Sequence, residues 1–250
     1  MDLVTMAAAS GMRARMEALE MLANNLANAA TPGFKLDQEG YSLYVAPEPL
    51  DAAASASAPD PVLLPVIQRN WTDFRQAPLL VTGNPTDLAI SGRGFFAIEG
   101  PKGPLYTRNG AFRISRDGRL VTAEGYAVRA AGGGTIQLVG NGPLEVSSEG
   151  EVRQNGQLLG RLEIVDFPRL EGLIKQGRNY FRPFDRSLAP VAATGYAIEQ
   201  GKLEASNVST PEAAVRLISI LRQFEMLQRA VALGSEMNRR AIEELAKVNP

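Results

Sequence analysis

The chain has 250 residues, of which 45% are hydrophobic and 21% charged, and its formal net charge is −1. That length suffices for one large or two small domains, and the charge balance excludes a global basic field for nucleic acid or acidic lipid. With no Cys and no His, it also excludes disulfides, thiolate nucleophiles, and imidazole bases or metal ligands, so no metal or other cofactor is expected.

The first element is a helix within residues 1–30. Apolar residues recur four and three apart at Met12, Met16, Leu19, Ala23 and Leu26. Ala, Leu, Met and Glu are good helix formers, Asn24, Asn25 and Asn28 weaken the last turn, and Thr31-Pro32-Gly33 ends it. Gly11 costs about 1 kcal/mol relative to Ala unless another helix comes close there. The N-terminus lacks the basic start of a secretory signal, because Arg13, Arg15 and Glu17 follow soon after the first apolar stretch. No apolar run reaches the roughly 18–20 residues of a membrane span, so no direct membrane insertion is expected.

Residues 31–70 read as an extended linker or loop, and 46–65 are rich in Pro, Ala and Ser. A β-rich region follows over 71–197. Its turn signals are Asn109-Gly110, Asp117-Gly118, Glu124-Gly125, Asn141-Gly142, Glu149-Gly150 and Asn155-Gly156, and short strand-like runs such as Phe95–Ile98 lie between them. Residues 198–250 form a return segment and a long helix. Ser209 can cap it with Glu212 at N3, or Thr210 can cap it with Pro211 at N1. Glu212–Arg216, Glu225–Arg229, Glu236–Arg240 and Glu243–Lys247 are i,i+4 pairs in the better orientation. Leu217, Leu221, Phe224 and Val231 form one apolar row, and Met226, Ala230, Leu233 and Met237 form a second beside it. Two rows suggest more than one helical neighbour. The fold expected is mixed α and β, with the terminal helices packed together around a separate, mostly β centre.

Catalytic signals are weak. Gly92-x-Gly94-x-x-Ala97 matches a loose dinucleotide pattern, but the residues after it read as a strand where a helix is required. Gly132-Gly-Gly134 lacks the Lys-Ser/Thr of a phosphate loop and reads as a turn. Arg108, Arg113, Arg116 and Arg119 lie near Tyr106 and Phe112, yet Asp117 interrupts them. A solvated sheet face is favoured there over a nucleic-acid surface. No catalytic residue is assigned and no nucleic-acid partner is expected.

Three segments resemble the flagellar rod and hook axial-protein family: Leu22-Ala-Asn-Asn-Leu-Ala-Asn-Ala-Ala-Thr-Pro-Gly-Phe-Lys35; Thr82–Phe96 with Tyr106–Phe112 and Gly118–Tyr126; and Gln200–Val208 leading into Arg222-Gln-Phe-Glu-Met226. The last of these looks more like the proximal-rod branch than the distal-rod branch. The resemblance implies a non-enzymatic subunit that polymerises helically, its terminal helices lining the rod channel and its β domain outside them. It implies other copies, neighbouring proximal and distal rod proteins and the flagellar type III export apparatus as partners. It also implies a place in the periplasmic rod, reached without signal cleavage. The motif residues are Asn24, Asn25, Asn28, Thr31, Pro32, Gly33, Phe34 and Asn207. The asparagines are expected to bond backbone while Leu22 and Leu26 stay buried, Phe34 to anchor the turn, and Asn207 to act at the return. The interface expected from the apolar stripes is Met12, Met16, Leu19, Leu22 and Leu26 on the first helix, with Leu217, Leu221, Phe224, Leu227 and Val231 on the last. A carboxylate- or Lys-dependent wall hydrolase, and a β-rich binding module with a helical dimerisation stalk, are the alternatives from other classes.

Overall fold

The computed structural model describes residues 3–45, 63–139, 142–177, 179–185 and 187–248. These form two compact units. Unit 1 gathers the N-terminal residues to Ala27, Asp37–Trp71 and Ser209 onward, and unit 2 holds Asn28–Leu36 and Thr72–Val208. The class is mixed α and β, with a helix at each end and sheets between them.

Unit 1 is built on α1 (Leu3–Ala27) and, at the other end of the chain, α2 (Thr210–Val248). Ser209 holds the cap position, and its carbonyl accepts the first helical bond from Ala213 N at 2.9 Å. Ala18 and Leu22 of α1 pack with Ala213 and Ile220 of α2, flanked by Leu19 and Leu217. Further along, a Cβ on Gly11 would stand 3.2 Å from Leu227 Cδ1. Numbers fall along one helix as they rise along the other, so the pair is antiparallel. Gly11 is there because the helices approach closely.

The buried face of α1 is a seam of mostly small residues: Ala8, Gly11, Ala14, Ala18, Leu22 and Asn25. At about 100° per residue, the Met12–Met16–Leu19–Leu26 stripe lies roughly a quarter turn away from it. Beside the helices, β1 (Asp37–Val45) pairs with β2 (Leu63–Thr72). The stretch expected as linker therefore carries strands at both ends, and its Pro-rich part, 46–62, lies outside the described residues. Arg216 reaches Glu39 on β1 rather than its helical neighbour Glu212, while Glu236–Arg240 forms at 2.9 Å as the spacing predicts. The expected Glu243–Lys247 pair lies outside the described side chains.

Unit 2 begins with β3 (Leu79–Val81), β4 (Leu88–Ser91), β5 (Phe95–Gly100) and β6 (Gly103–Thr107). Short β7 (Arg113–Ile114) and β8 (Leu120–Val121) pair with each other. A three-stranded sheet follows, with β9 (Leu144–Val146) and β11 (Gln157–Arg161) on either side of β10 (Glu151–Gln154). Then come β12 (Ile164–Asp166), β13 (Leu173–Gln176), β14 (Tyr180–Pro183), β15 (Val191–Ala192), β16 (Ala197–Gln200) and β17 (Lys202–Glu204). The largest sheet runs β13-β14-β6-β5-β12-β15, and the last two strands pair back, β16 on β4 and β17 on β3. The return segment from 198 to 208 thus belongs to the β body.

Strand β5 shows why the body holds together. Successive side chains of a strand point to opposite faces. Phe96 and Ile98 enter one core with Leu88, Phe112, Leu120 and Val152, while Phe95 and Ala97 enter another with Tyr106, Phe167 and Phe181. The Gly92–Ala97 pattern is therefore a loop into a doubly buried strand, with no helix after it. At the β10–β11 hairpin Asn155 and Gly156 both have positive φ, 51° and 76°, as a two-residue primed turn requires. Asn109-Gly110 differs from the expectation that it turns a hairpin. Asn109 Oδ1 accepts from Ala111 N at 3.0 Å, and a Cβ on Gly110 would lie 1.7 Å from Leu88 O. Glycine is required there by crowding against β4.

Candidate assembly interface

The N-terminal motif works in two places. In unit 1 the buried Asn25 side chain acts as a peptide group. Its Oδ1 accepts from Asp37 N at 3.0 Å and its Nδ2 donates to Asp37 O at 2.8 Å. An Asn can do this because its amide carries both a donor and an acceptor. Leu22 is buried as expected, but Leu26 is 37% exposed, because the seam passes through Asn25 on the neighbouring face.

In unit 2 the Thr31–Leu36 segment is clamped at almost every polar group. Gly33, at φ 68°, donates its N–H to Glu204 O at 2.7 Å, and a Cβ there would meet Asn109 N at 2.4 Å. Asn179 Nδ2 donates to Pro32 O at 3.0 Å. Phe34 is buried with Lys175 Nζ 4.1 Å from its ring centroid, and that ammonium also donates to Lys35 O at 2.5 Å. Asn207 repeats the peptide mimicry, accepting from Leu36 N at 2.7 Å and donating to Asp73 O at 2.8 Å.

At the centre lies a buried charge cluster. Lys35 Nζ donates to Glu204 Oε1 and to Arg75 O, both at 2.6 Å. The same Oε1 accepts from Ala77 N at 3.0 Å, while Oε2 accepts from Arg108 Nε at 2.7 Å. The remaining Arg108 nitrogens donate to the carbonyls of Ile90, Gly92 and Gly94. Burial pulls the Lys35 ammonium below its ordinary value, and Glu204 restores only part of the loss. Burial pushes the nearby Asp73 carboxyl up, but hydrogen bonds from Arg75 outweigh this and hold it below the usual range. Every charged atom here is bonded, so the cluster orders the chain and leaves no free group to react. Arg108 is thereby removed from the expected solvated face. Arg113 and Arg119 do lie exposed, on Ala123 O and Asp117.

The expected interface residues divide. Leu22, Leu217 and Leu227 serve the helix pair within the chain, and Met12, Leu19, Phe224 and Val231 are half-buried. Met16 is 53% exposed, and Leu26 and Leu221 are exposed with it. On α2 a further ridge is bare: Val215 is 70%, Met226 60%, Leu233 63% and Met237 64% exposed. Among the described residues no group of three acidic side chains could hold a metal, and no helix is long and apolar enough to cross a membrane.

Three family models match in chain order. Residues 7–35 match "Flagella basal body rod protein", 89–154 "Flagellar hook protein FlgE/F/G D1 domain", and 199–244 "Flagellar basal body rod FlgEFG protein C-terminal". Over 232 residues the chain is 36% identical to the flagellar basal-body rod protein FlgF of Caulobacter vibrioides, across 92% of this chain and 93% of that protein. The chain belongs to the flagellar basal-body rod protein family. This rod protein is also 34% identical to FlgF of Mesorhizobium japonicum over 223 residues, 87% of this chain and 88% of that one. It is 30% identical to FlgG of Caulobacter vibrioides over 252 residues, with 92% and 94% covered. Within that one organism the likeness to FlgF exceeds that to FlgG, so the rod protein is most like FlgF. The first family match ends at Lys35 and the last begins at Glu199, so the buried Lys35–Glu204 pair joins the two terminal signatures.

Proposed function

We propose that this chain is a non-enzymatic proximal-rod subunit of the bacterial flagellum. Unit 1 would pack against unit 1 of neighbouring copies and rod proteins, the distal FlgG among them, to line the rod channel, with unit 2 outside. The subunit would leave the cell through the flagellar type III export apparatus without signal cleavage and take its place in the periplasmic rod. The observation that carries this reading is the exposure of large apolar residues along both helices. A helix normally buries a stripe at least 100° wide, and α2 has bare apolar residues well outside the seam it shares with α1. Met16, Leu26 and Leu221, which are exposed, and Met12, Phe224 and Val231, which are half-buried, are the residues of the expected interface outside the helix-pair cluster.

The test is genetic and structural together. Leu221→Asp and Phe224→Asp in the full chain should each abolish swimming and remove the chain from purified basal bodies. Circular dichroism should still report the β signal of unit 2. Wild-type swimming with both variants, or a chain absent from wild-type basal bodies, would refute the reading. A distal-rod position would show as density beyond the proximal segment in a map of the isolated basal body.

A further inference from the structure

The bare ridge of α2 is longer and more regular than a leftover apolar edge. Val215, Ile218, Met226, Leu233 and Met237 fall on a 3-4-4-3-4-4 spacing whose remaining two positions are Arg222 and Arg229. All seven are exposed. Among the described residues neither arginine makes an ion pair, and Glu225 between them in sequence pairs with neither. Two arginines against the one nearby Glu225 leave the ridge apolar with a net positive charge. On α1 the exposed Met16 is followed at four, seven and eleven residues by Glu20, Ala23 and Ala27, all exposed. Glu20 makes no ion pair among the described residues. That row is apolar with a free carboxylate in it. At about 1.5 Å per residue, the Met16–Ala27 row is about 17 Å long and covers roughly half of the ridge, which is about 33 Å from Val215 to Met237.

Resting on the rod-subunit reading, we propose that the α2 ridge docks on the Met16–Ala27 row of α1 in a second copy of this chain, with Glu20 of that copy facing Arg222 and Arg229. Charge decides the occupant. Pairing two α2 ridges would set arginines against arginines, and pairing two α1 rows would set Glu20 near Glu20. Only the mixed pairing joins opposite signs, and like charges across a contact suppress it. Within one copy the two surfaces cannot meet, because each lies on its helix well away from the shared seam. The ridge and the row face away from the shared seam in opposite directions, so one partner cannot take both at once; the contact is heterologous and repeats from copy to copy, as a ring if the rotation closes and as a helix if it does not. A two-fold dimer is the product that this charge pattern disfavours.

The absence of native Cys allows a direct experiment. Met16→Cys and Met226→Cys are introduced separately and together into the full chain. Basal bodies are then isolated and oxidised with copper phenanthroline. Co-expressed single variants should give a disulfide-linked dimer of this chain, and the double variant a ladder of higher multimers. Adding Arg222→Glu and Arg229→Glu to the Met226→Cys chain should lower the dimer yield about tenfold, and adding Glu20→Arg to the Met16→Cys chain should recover most of it. A dimer from Met226→Cys alone, a cross-link to a different rod protein, or no dimer in basal bodies that contain the chain would each overturn the proposal. These outcomes differ from failure of the rod reading, in which the chain is missing from basal bodies altogether.

Discussion

Glu204→Gln tests whether the buried cluster holds the motif segment in place. The carboxylate accepts three hydrogen bonds, from Lys35 Nζ at 2.6 Å, Ala77 N at 3.0 Å and Arg108 Nε at 2.7 Å. The substitution nearly preserves volume, so packing is not the variable. A carboxamide turns one acceptor into a donor and removes the single negative charge shared by two buried cations. Removing one partner of a buried ion pair costs about 3–5 kcal/mol, because the charge left behind is uncompensated. A domain of this size loses about 2–4 °C in Tm per kcal/mol, so the expected fall is about 6–20 °C. Lys35→Met should cost less. It removes the ammonium that burial already disfavours and leaves Glu204 bonded to Arg108 and Ala77.

The assay is thermal unfolding of the full chain followed in the β region of the circular dichroism spectrum. Glu151→Gln serves as control, since the Glu151–Arg153 pair is largely exposed and worth about 0–1 kcal/mol. If Glu204→Gln melts within the range of that control, the cluster does not stabilise the fold and the reasoning fails. The double variant Lys35→Met/Glu204→Gln should fall short of the sum of the single losses, because the two side chains share one bond. Simple additivity would show that they act independently.

Four further outcomes follow from local geometry. Gly33→Ala should lose several kcal/mol by denaturant titration, because its φ of 68° coincides with a Cβ placed 2.4 Å from Asn109 N. Gly83→Ala, at φ 72° with nothing within 4 Å, should lose only about 1–2 kcal/mol. Asn207→Ala should cost about 1–3 kcal/mol and speed amide exchange at Leu36, whose N–H loses its acceptor; an unchanged Leu36 rate would contradict the role given to Asn207. Acid stability should report Asp73. Its folded value lies below the ordinary 3.8, so its contribution is complete above that pH and disappears as pH falls through the folded value. The drop in Tm between pH 5 and pH 3 should therefore be smaller in Asp73→Asn than in the wild type, and equal slopes would remove Asp73 from the account.

Periodicity located both helices, and of the two caps left open for α2, the start at Thr210 agrees with the one at Ser209. Asn155-Gly156 was legible as a hairpin because only φ > 0 residues fit that turn. Asn25 was legible as a backbone ligand, although the peptide it satisfies was not, while Asn28 accepts from the Thr31 hydroxyl at 3.2 Å. Lys35, Arg108 and Glu204 each fall in one of the resembling segments, but their pairing was not legible: Lys35 and Glu204 are 169 positions apart, and Arg108 stood among arginines that are mostly exposed. Arg108, with its double row of carbonyl acceptors, is set apart from its neighbours only by the loop that β4 and β5 wrap around it.

The seam of α1 explains why large apolar residues alone misdirect the reading of a helix face. Hydrophobic spacing selects Met12, Met16, Leu19 and Leu26, yet the antiparallel partner sits on Ala8, Gly11, Ala14 and Ala18. Two helices that approach until a single Cβ would press on Leu227 need small side chains between them, and the bulky residues must then turn aside. On α2 the same geometry sends Val215, Met226, Leu233 and Met237 outward, so close packing inside the subunit leaves a row of large apolar side chains bare. A wider seam built from those residues would have buried them within one chain. The glycine and alanines of α1 thus set the close approach of the two helices, and that approach leaves the bulky rows on the exposed faces.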